Sequence, residues 1–187
     1  MGWTLQPVTA VKIEVGPSIM LQSGAWLDLL APHASEFTIE DIAHGLAHQC
    51  RYAGQCRDFY SVAEHSLLVS DMVRDDPLAA LLHDAAEAFL GDITRPLKQM
   101  LPDYRRIEME MQQAIFARFG VDPKSNPAIK NADLSILAAE QNQMMPAGTD
   151  EWARQDGIVP APVKIRFLSP QQAKAEFLQR FQTLSRH

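Results

Sequence analysis

Residues 78–98 read LAALLHDAAEAFLGDITRPLK, and this stretch decides the fold. Residues 78–90 are almost all apolar, so a helix formed by them has no polar face wide enough for a surface position. We therefore predict a continuous central helix over about 77–91. His83 and Asp84 interrupt the apolar run. An ionised carboxylate in apolar surroundings is costly unless it is paired or bound to a metal, so this pair needs partners from elsewhere in the chain.

The composition limits which kinds of molecule the protein can bind. With 187 residues, 47% of them apolar and 21% charged, the chain can bury a full core, and we predict one domain over residues 1–187. The formal charge of −6 and the pI near 5.5 leave no broad basic face, so neither nucleic acid nor a membrane is an expected partner. The N-terminus lacks a basic stretch followed by an apolar core, which predicts a cytoplasmic protein.

Capping residues and apolar periodicity on either side predict a mostly α-helical domain. The further predicted helices cover about residues 38–48, 61–72, 103–119, 126–144 and 169–184. Ser61 and Glu64 form a predicted capping box. His65 then falls at helical spacing on one face with Val62, Leu68, Val69 and Met72, so it points toward the core. The less regular stretches are a strand, hairpin or extended arm in 1–37, a loop at 50–60, a lid or connection at 146–162, and a short strand at 163–167.

Ligand-type residues fall on the inner faces of three of these helices. They are His65, His83, Asp84 and Asp133. Two imidazoles and two carboxylates suit one divalent Mn, Fe, Co, Ni or Zn ion, and Mg less well. Four protein ligands on an ion that takes six leave positions for water and substrate, as in catalytic sites. The alternative is a hydrogen-bonded core histidine and a solvated aspartate, which explains His65 or Asp133 alone better than it explains the His83–Asp84 pair.

The short sequence motifs around these residues resemble those of a known family. They are VAEHS at 62–66, LHDAAE at 82–87, GDITRPLK at 91–98 and KNAD at 130–133. This set resembles the HD-domain metal-dependent phosphohydrolases, and it is similar to their bacterial 5′-deoxynucleotidase branch over about residues 40–141. The resemblance implies an all-α, HD-domain helical bundle, with an irregular N-terminal arm and a C-terminal extension outside it.

The resemblance also implies roles for individual residues. The implied metal ligands are His65, His83, Asp84 and Asp133. Glu87 and Asp92 are the implied catalytic acids beside the metal, and Glu87 shares a helix face with the ligands at 83 and 84. The expected substrate-binding residues are Arg51 for phosphate, Tyr52 beside the sugar, and Arg57 and Lys98 as further cations for the phosphate.

The expected activity is metal-dependent hydrolysis of (deoxy)ribonucleoside 5′-monophosphates to nucleoside and phosphate. One alternative is a hydrolase of the same chemistry that acts on nucleoside di- or triphosphates or on another small phosphoester. A second alternative is a non-catalytic nucleotide-binding module. Met109, Met111, Met144 and Met145 hint at a homodimer, although core packing explains such residues more often.

Overall fold

Helices dominate the part of the chain that the computed structural model describes, which is residues 16–124 and 126–186. They are α1 (Ile39–His48), α2 (Val62–Met72), α3 (Pro77–Leu81), α4 (Glu87–Leu90), α5 (Arg95–Met100), α6 (Pro102–Phe119), α7 (Pro127–Met144), α8 (Glu151–Gln155) and α9 (Pro170–Leu184). A hairpin precedes them, in which β1 (Ser18–Met20) pairs antiparallel with β2 (Trp26–Asp28). The predicted mostly α-helical class is confirmed, and so is a hairpin in the N-terminal arm. Residues 1–15 lie outside the described residues.

Local capping sets several helix ends where the sequence predicts them. Thr38 and Asp41 form a capping box at the start of α1, and Ser169 and Gln172 form one at the start of α9. The Asp41 carboxylate also accepts a hydrogen bond from the backbone of Ser23, at 3.1 Å, in the turn between the two strands. One capping residue thereby ties the hairpin to the helical part of the fold.

The predicted continuous central helix is wrong. α3 ends before residues 82–86, which form consecutive turns, and α4 begins after them. Hydrogen bonds across this break span three residues, as from Glu87 N–H to the Asp84 carbonyl at 3.0 Å, so the chain is wound more tightly there than in an α-helix. The break lets α4 pack closely on α1. A Cβ atom on Gly45 would overlap the Ala88 backbone, at 2.9 Å from its Cα.

Residues 163–168 form the C-terminal segment, which is held by the Glu64 carboxylate. The sequence predicts that this carboxylate caps α2. Ser61 accepts the Glu64 backbone N–H at 3.1 Å, but the Glu64 side chain does not complete the box. Its fully buried oxygens accept the backbone N–H groups of Arg166 and Leu168, at 2.7 Å each. The predicted strand over 163–167 is therefore wrong, because this segment bonds to Glu64 and not to another strand.

α9 continues from this segment and packs on α1 and α2, where Phe177 is fully buried in the main core. Met111 and Met144 are buried, whereas Met109 is half exposed. Core packing thus accounts for two of the four methionines, and the homodimer stays a prediction. Across 16–124 and 126–186, none of the helices has the length and apolar character needed to cross a bilayer.

Candidate metal centre

Four ligand-type side chains from three parts of the fold converge. His65 lies on α2, His83 and Asp84 lie in the turns between α3 and α4, and Asp133 lies on α7. The Nε2 atom of His65 is 3.3 Å from Nε2 of His83, 3.4 Å from Oδ1 of Asp133 and 3.6 Å from Oδ2 of Asp84. His83 Nε2 is 3.2 Å from the same Asp84 oxygen. Adjacent ligands with bonds of about 2.1 Å at right angles lie about 3.0 Å apart, close to these separations.

His65, His83 and Asp133 place one ligand atom each within 4.8 Å of one another, so this group could hold a metal ion. The hydrogen bonds behind the imidazoles favour that role. The Nδ1 atom of His83 lies 2.8 Å from the Ala80 carbonyl, and Nδ1 of His65 lies 2.6 Å from Oε1 of Glu140. Because both partners are acceptors, this network assigns a proton to each Nδ1 and leaves both Nε2 lone pairs facing the cluster. Two lone pairs at 3.3 Å repel each other unless a proton or a cation lies between them. A proton on His65 has this role in the metal-free protein, and the donor set fits a cation that replaces it.

The electrostatics of the cluster also favour a cation. Burial raises the pKa of Asp84, but the charge of His83 outweighs it and holds that pKa well below the ordinary value. For Asp133, burial is outweighed in the same way by the hydrogen bond and charge of His65. Burial and Arg51 lower the pKa of the His65 imidazole, but Glu140 and Asp133 outweigh them and raise it to about 9. Both ligand carboxylates are therefore ionised at neutral pH.

Glu140 on α7 forms a hydrogen bond to His65 of the cluster, and it is not among the predicted site residues. Its carboxylate is fully buried and accepts four hydrogen bonds. Oε1 accepts from Nδ1 of His65 at 2.6 Å and from the Tyr60 hydroxyl at 2.8 Å. Oε2 accepts from the Tyr52 hydroxyl at 2.6 Å and from Nη2 of Arg51 at 3.2 Å. Burial raises the pKa of Glu140, but Arg51 and His65 outweigh it and lower that pKa to about 2.

The two predicted catalytic acids lie beside the ligands. Glu87 is 6% exposed, its Oε1 is 3.4 Å from Nζ of Lys98, and its Oε2 has no hydrogen-bond partner among the described residues. Burial and the charges of Asp84 and Asp92 raise the pKa of Glu87 to about 9. Burial likewise raises the pKa of Asp92, against the charge of Arg51. The Glu87 carboxyl group is thus protonated at neutral pH in this arrangement.

Gln49 fixes the segment that joins these two acids. Its side-chain NH₂ donates to the Glu87 carbonyl at 2.6 Å, and its side-chain oxygen accepts the Asp92 backbone N–H at 2.9 Å. One amide at the end of α1 therefore clamps both ends of α4. No local sequence signal distinguishes this glutamine, because its partners are about 40 residues away in the chain.

Two cavities share a wall formed by Asp84, Glu87 and Lys98. The cavity of about 610 Å³ is called here the Trp152 pocket. Its lining includes the charged side chains Arg51, Asp92, Arg95, Lys98, Lys130 and Asp133, and the uncharged side chains Leu134, Leu137, Gln141 and Trp152. The second cavity, of about 770 Å³, lies along α6 and is lined by Arg105, Met109 and Phe116. Both volumes are in the range of small-molecule sites.

The structure brings three of the four predicted substrate-binding residues to the Trp152 pocket, namely Arg51, Tyr52 and Lys98. It does not bring Arg57 there. The side chain of Arg57 is 64% exposed, pairs with Asp58 at 2.8 Å and lines neither cavity. Tyr52 has φ of +58°, in the left-handed region that is unusual for a residue with a Cβ atom, and its hydroxyl is held by Glu140.

The fold and the site together define a mostly α-helical protein with a candidate metal centre of histidine and aspartate side chains. Over 156 aligned residues the chain is 39% identical to the uncharacterized protein YfdR of Escherichia coli, and the match covers 80% of this chain and 85% of YfdR. It is also 39% identical over 186 aligned residues to an uncharacterized protein of Rhodobacter capsulatus, with coverage of 88% of this chain and 93% of that protein. No protein-family model matches the chain. The chain belongs to the family of YfdR.

Proposed function

We propose that this protein is a metal-dependent phosphohydrolase of the HD-domain type, which hydrolyses nucleoside 5′-monophosphates to nucleoside and phosphate. The observation that carries the proposal is the convergence of His65, His83, Asp84 and Asp133 beside a pocket that holds both acids and cations. Ion-pair networks with a purely structural role seldom keep a carboxylate oxygen buried and without a partner, as Glu87 Oε2 is here.

The donor set of two imidazoles and two carboxylates fits one divalent ion of the Mn, Fe, Co, Ni or Zn type, held by the four residues of the cluster. When bound, such an ion supplies Lewis-acid chemistry, acidifying water and drawing charge from a phosphoryl oxygen. The remaining steps belong to side chains of the Trp152 pocket.

Asp92 orients the attacking water or accepts its proton, because it is a carboxylate on the pocket wall that is held in place through Gln49. The water oxygen forms a bond to phosphorus, and the bond from phosphorus to the 5′ oxygen breaks. Glu87, whose pKa is raised to about 9, donates a proton to the departing 5′ oxygen. Arg51 and Lys98 bind the other phosphoryl oxygens as negative charge spreads over them.

A second candidate activity is hydrolysis of nucleoside di- or triphosphates. Arg95 and Lys130 favour it, because they add two cations to the pocket that already has Arg51 and Lys98. A longer phosphate chain uses more positive charge than a monophosphate does. The two activities differ in their products, which are nucleoside and phosphate from a monophosphate, and a shorter nucleotide with phosphate or pyrophosphate from the longer substrates.

The test is phosphate and pyrophosphate release from ribo- and deoxyribonucleoside mono-, di- and triphosphates after chelation and after return of Mn, Co, Ni, Zn or Mg. Asp84→Ala should abolish release. Asp71→Ala is the matched control, because this aspartate lies on α2 with a side chain 65% exposed. Asp71→Ala should keep wild-type activity. Nucleotides that all survive with wild-type protein and demonstrably bound metal would refute the proposal.

Lys98→Ala and Arg57→Ala form a second matched pair. Lys98 lines the pocket and Arg57 does not, although both were predicted to bind phosphate. Removing a cation that stabilises the transition state costs on the order of 10²-fold in rate, and we expect that loss for Lys98→Ala alone. Equal losses in both variants would contradict the pocket assignment.

A further inference from the structure

Part of the lining of the Trp152 pocket is uncharged and largely apolar. Leu137 follows Asp133 by four residues on α7, so it lies on the helix face that carries this ligand, and Leu134 lines the same cavity from one helical turn before Leu137. Gln141 lies eight residues beyond Asp133, about 12 Å along the helix axis at 1.5 Å per residue. The pocket therefore runs from the charged cluster along two turns of α7 to an uncharged end.

Trp152 closes that uncharged end. It belongs to α8, inside the segment 146–162 that lies outside the family resemblance. Its indole N–H donates to Oε1 of Gln141 at 2.6 Å, and the side chain is only half buried. Because the one polar group of the ring already has its partner, what the indole offers to a ligand is aromatic surface.

The chemistry at the two ends matches the two ends of one ligand. The charged end has Arg51 and Lys98 for a phosphate, and the far end has an indole and two leucines for a flat apolar group. A small phosphoester without a ring uses only the charged end. On the basis of the proposed function, we propose that Trp152, with Leu134 and Leu137, binds the base of the substrate, so that Trp152 makes the enzyme selective for nucleotides over other phosphomonoesters.

The experiment measures equilibrium binding in the Asp92→Asn protein loaded with Co, which lacks the proposed water-orienting group. The ligands are a nucleoside 5′-monophosphate and ribose 5-phosphate, which carries no base. Stacking of one base on an aromatic side chain corresponds to about 5- to 150-fold in affinity. We expect a nucleotide preference of that size, which Trp152→Ala abolishes and Trp152→Phe largely keeps. Trp26→Ala is the control, since Trp26 is 60% exposed on β2 and lines neither cavity.

Separate binding and turnover results distinguish this proposal from the proposed function. Loss of the nucleotide preference in Trp152→Ala alone supports the base subsite. A preference that persists in Trp152→Ala, is absent from the parent, or falls equally in Trp26→Ala overturns it. Turnover is tested separately in protein with Asp92 intact. Absence of phosphate release there refutes the hydrolase, while the binding result still decides whether Trp152 recognises a base.

Discussion

Replacing Glu140 by Gln should weaken metal binding although Glu140 is not a predicted ligand. The substitution keeps the shape of the side chain but removes its charge and one of its two acceptor oxygens. His65 Nδ1 and the Tyr60 hydroxyl share Oε1, so an amide NH₂ at that position would confront two donors. An amide oxygen there instead leaves the NH₂ facing Arg51 and the Tyr52 hydroxyl. Neither orientation satisfies the four donors.

The magnitude follows from these contacts. Loss of the partner behind a metal-bound histidine costs about 10- to 100-fold in metal affinity, which is about 1.4–2.7 kcal/mol. The metal-free protein loses stability as well, because Arg51 is left buried without its closest counter-charge. Breaking such a pair costs about 3–5 kcal/mol, and the lower end applies here because Asp84 remains 3.7 Å from Arg51 Nη1. Against a typical total of about 5–15 kcal/mol, the variant should still fold.

The assay is competition of Co between the protein and a chromophoric chelator, with urea unfolding of the metal-free protein in parallel. Glu64→Gln is the matched control, because Glu64 is a second fully buried carboxylate but bonds to backbone amides of the C-terminal segment. It should lower stability and leave Co affinity unchanged. A folded Glu140→Gln protein with wild-type Co affinity would refute the positioning role, and equal Co losses in both variants would reduce it to general destabilisation.

Gly45→Ala should destabilise the protein by about 1–3 kcal/mol in urea unfolding, because the new methyl group overlaps the Ala88 backbone. At an exposed glycine in a helix, the same substitution stabilises the protein. Burial raises the pKa of Asp41, but the hydrogen bonds that its carboxylate accepts outweigh burial and hold that pKa below the ordinary value. The contribution of Asp41 to stability is therefore full above about pH 4 and is lost as the pH falls through the lowered pKa. Asp41→Asn should therefore cost about 1 kcal/mol at pH 7, and unfolding curves at pH 3 should show a smaller difference from wild type. When the free metal concentration is a hundred times Kd, removing the metal with a chelator should lower the free energy of unfolding by about 2.7 kcal/mol. The thermal melt of Asp84→Ala should not change when the chelator is added.

Helix ends were predictable where one local group sets them. Thr38 with Asp41 and Ser169 with Gln172 satisfy backbone N–H groups within one turn, so their pattern is complete in four adjacent residues. Glu64 has the same spacing from Ser61, yet its carboxylate is used 102 and 104 residues away. The local pattern is identical in both situations, and only the packing of the C-terminal segment distinguishes them.

The break in the central helix has the same kind of cause. The apolar run of 78–90 predicts burial, and each of its residues is buried or half-buried, but periodicity cannot show how closely another backbone passes. Gly45 is the residue that permits this approach, and it lies more than 30 residues earlier in the chain. The turn that results, and not a helix, carries His83 and Asp84 toward His65.

The His83–Asp84 pair was predictable because burying a charge is costly enough to stand out from an apolar pattern, whereas His65 and Asp133 became candidates only together with that pair and through the family resemblance. Glu140 has the same property, since it lies in an apolar stretch of α7 two turns after Asp133, and the helix face they share was the available signal. Its role could not follow from that face, because the donors that it accepts come from the loop at 50–60 and from α2. Trp152 is harder still, because a half-buried aromatic residue in an irregular segment has many possible neighbours.

The segment after residue 141 is built into the site even though the family resemblance ends before it. Glu64, which holds that segment through two backbone amides, directly precedes His65 on α2, so the C-terminal chain packs against the same helical turn that presents a ligand. The same segment sends Trp152 back to Gln141 at the far end of the pocket. The selectivity proposed for the pocket therefore depends on a residue that a motif comparison leaves out, and differences in substrate among similar proteins are expected to arise there.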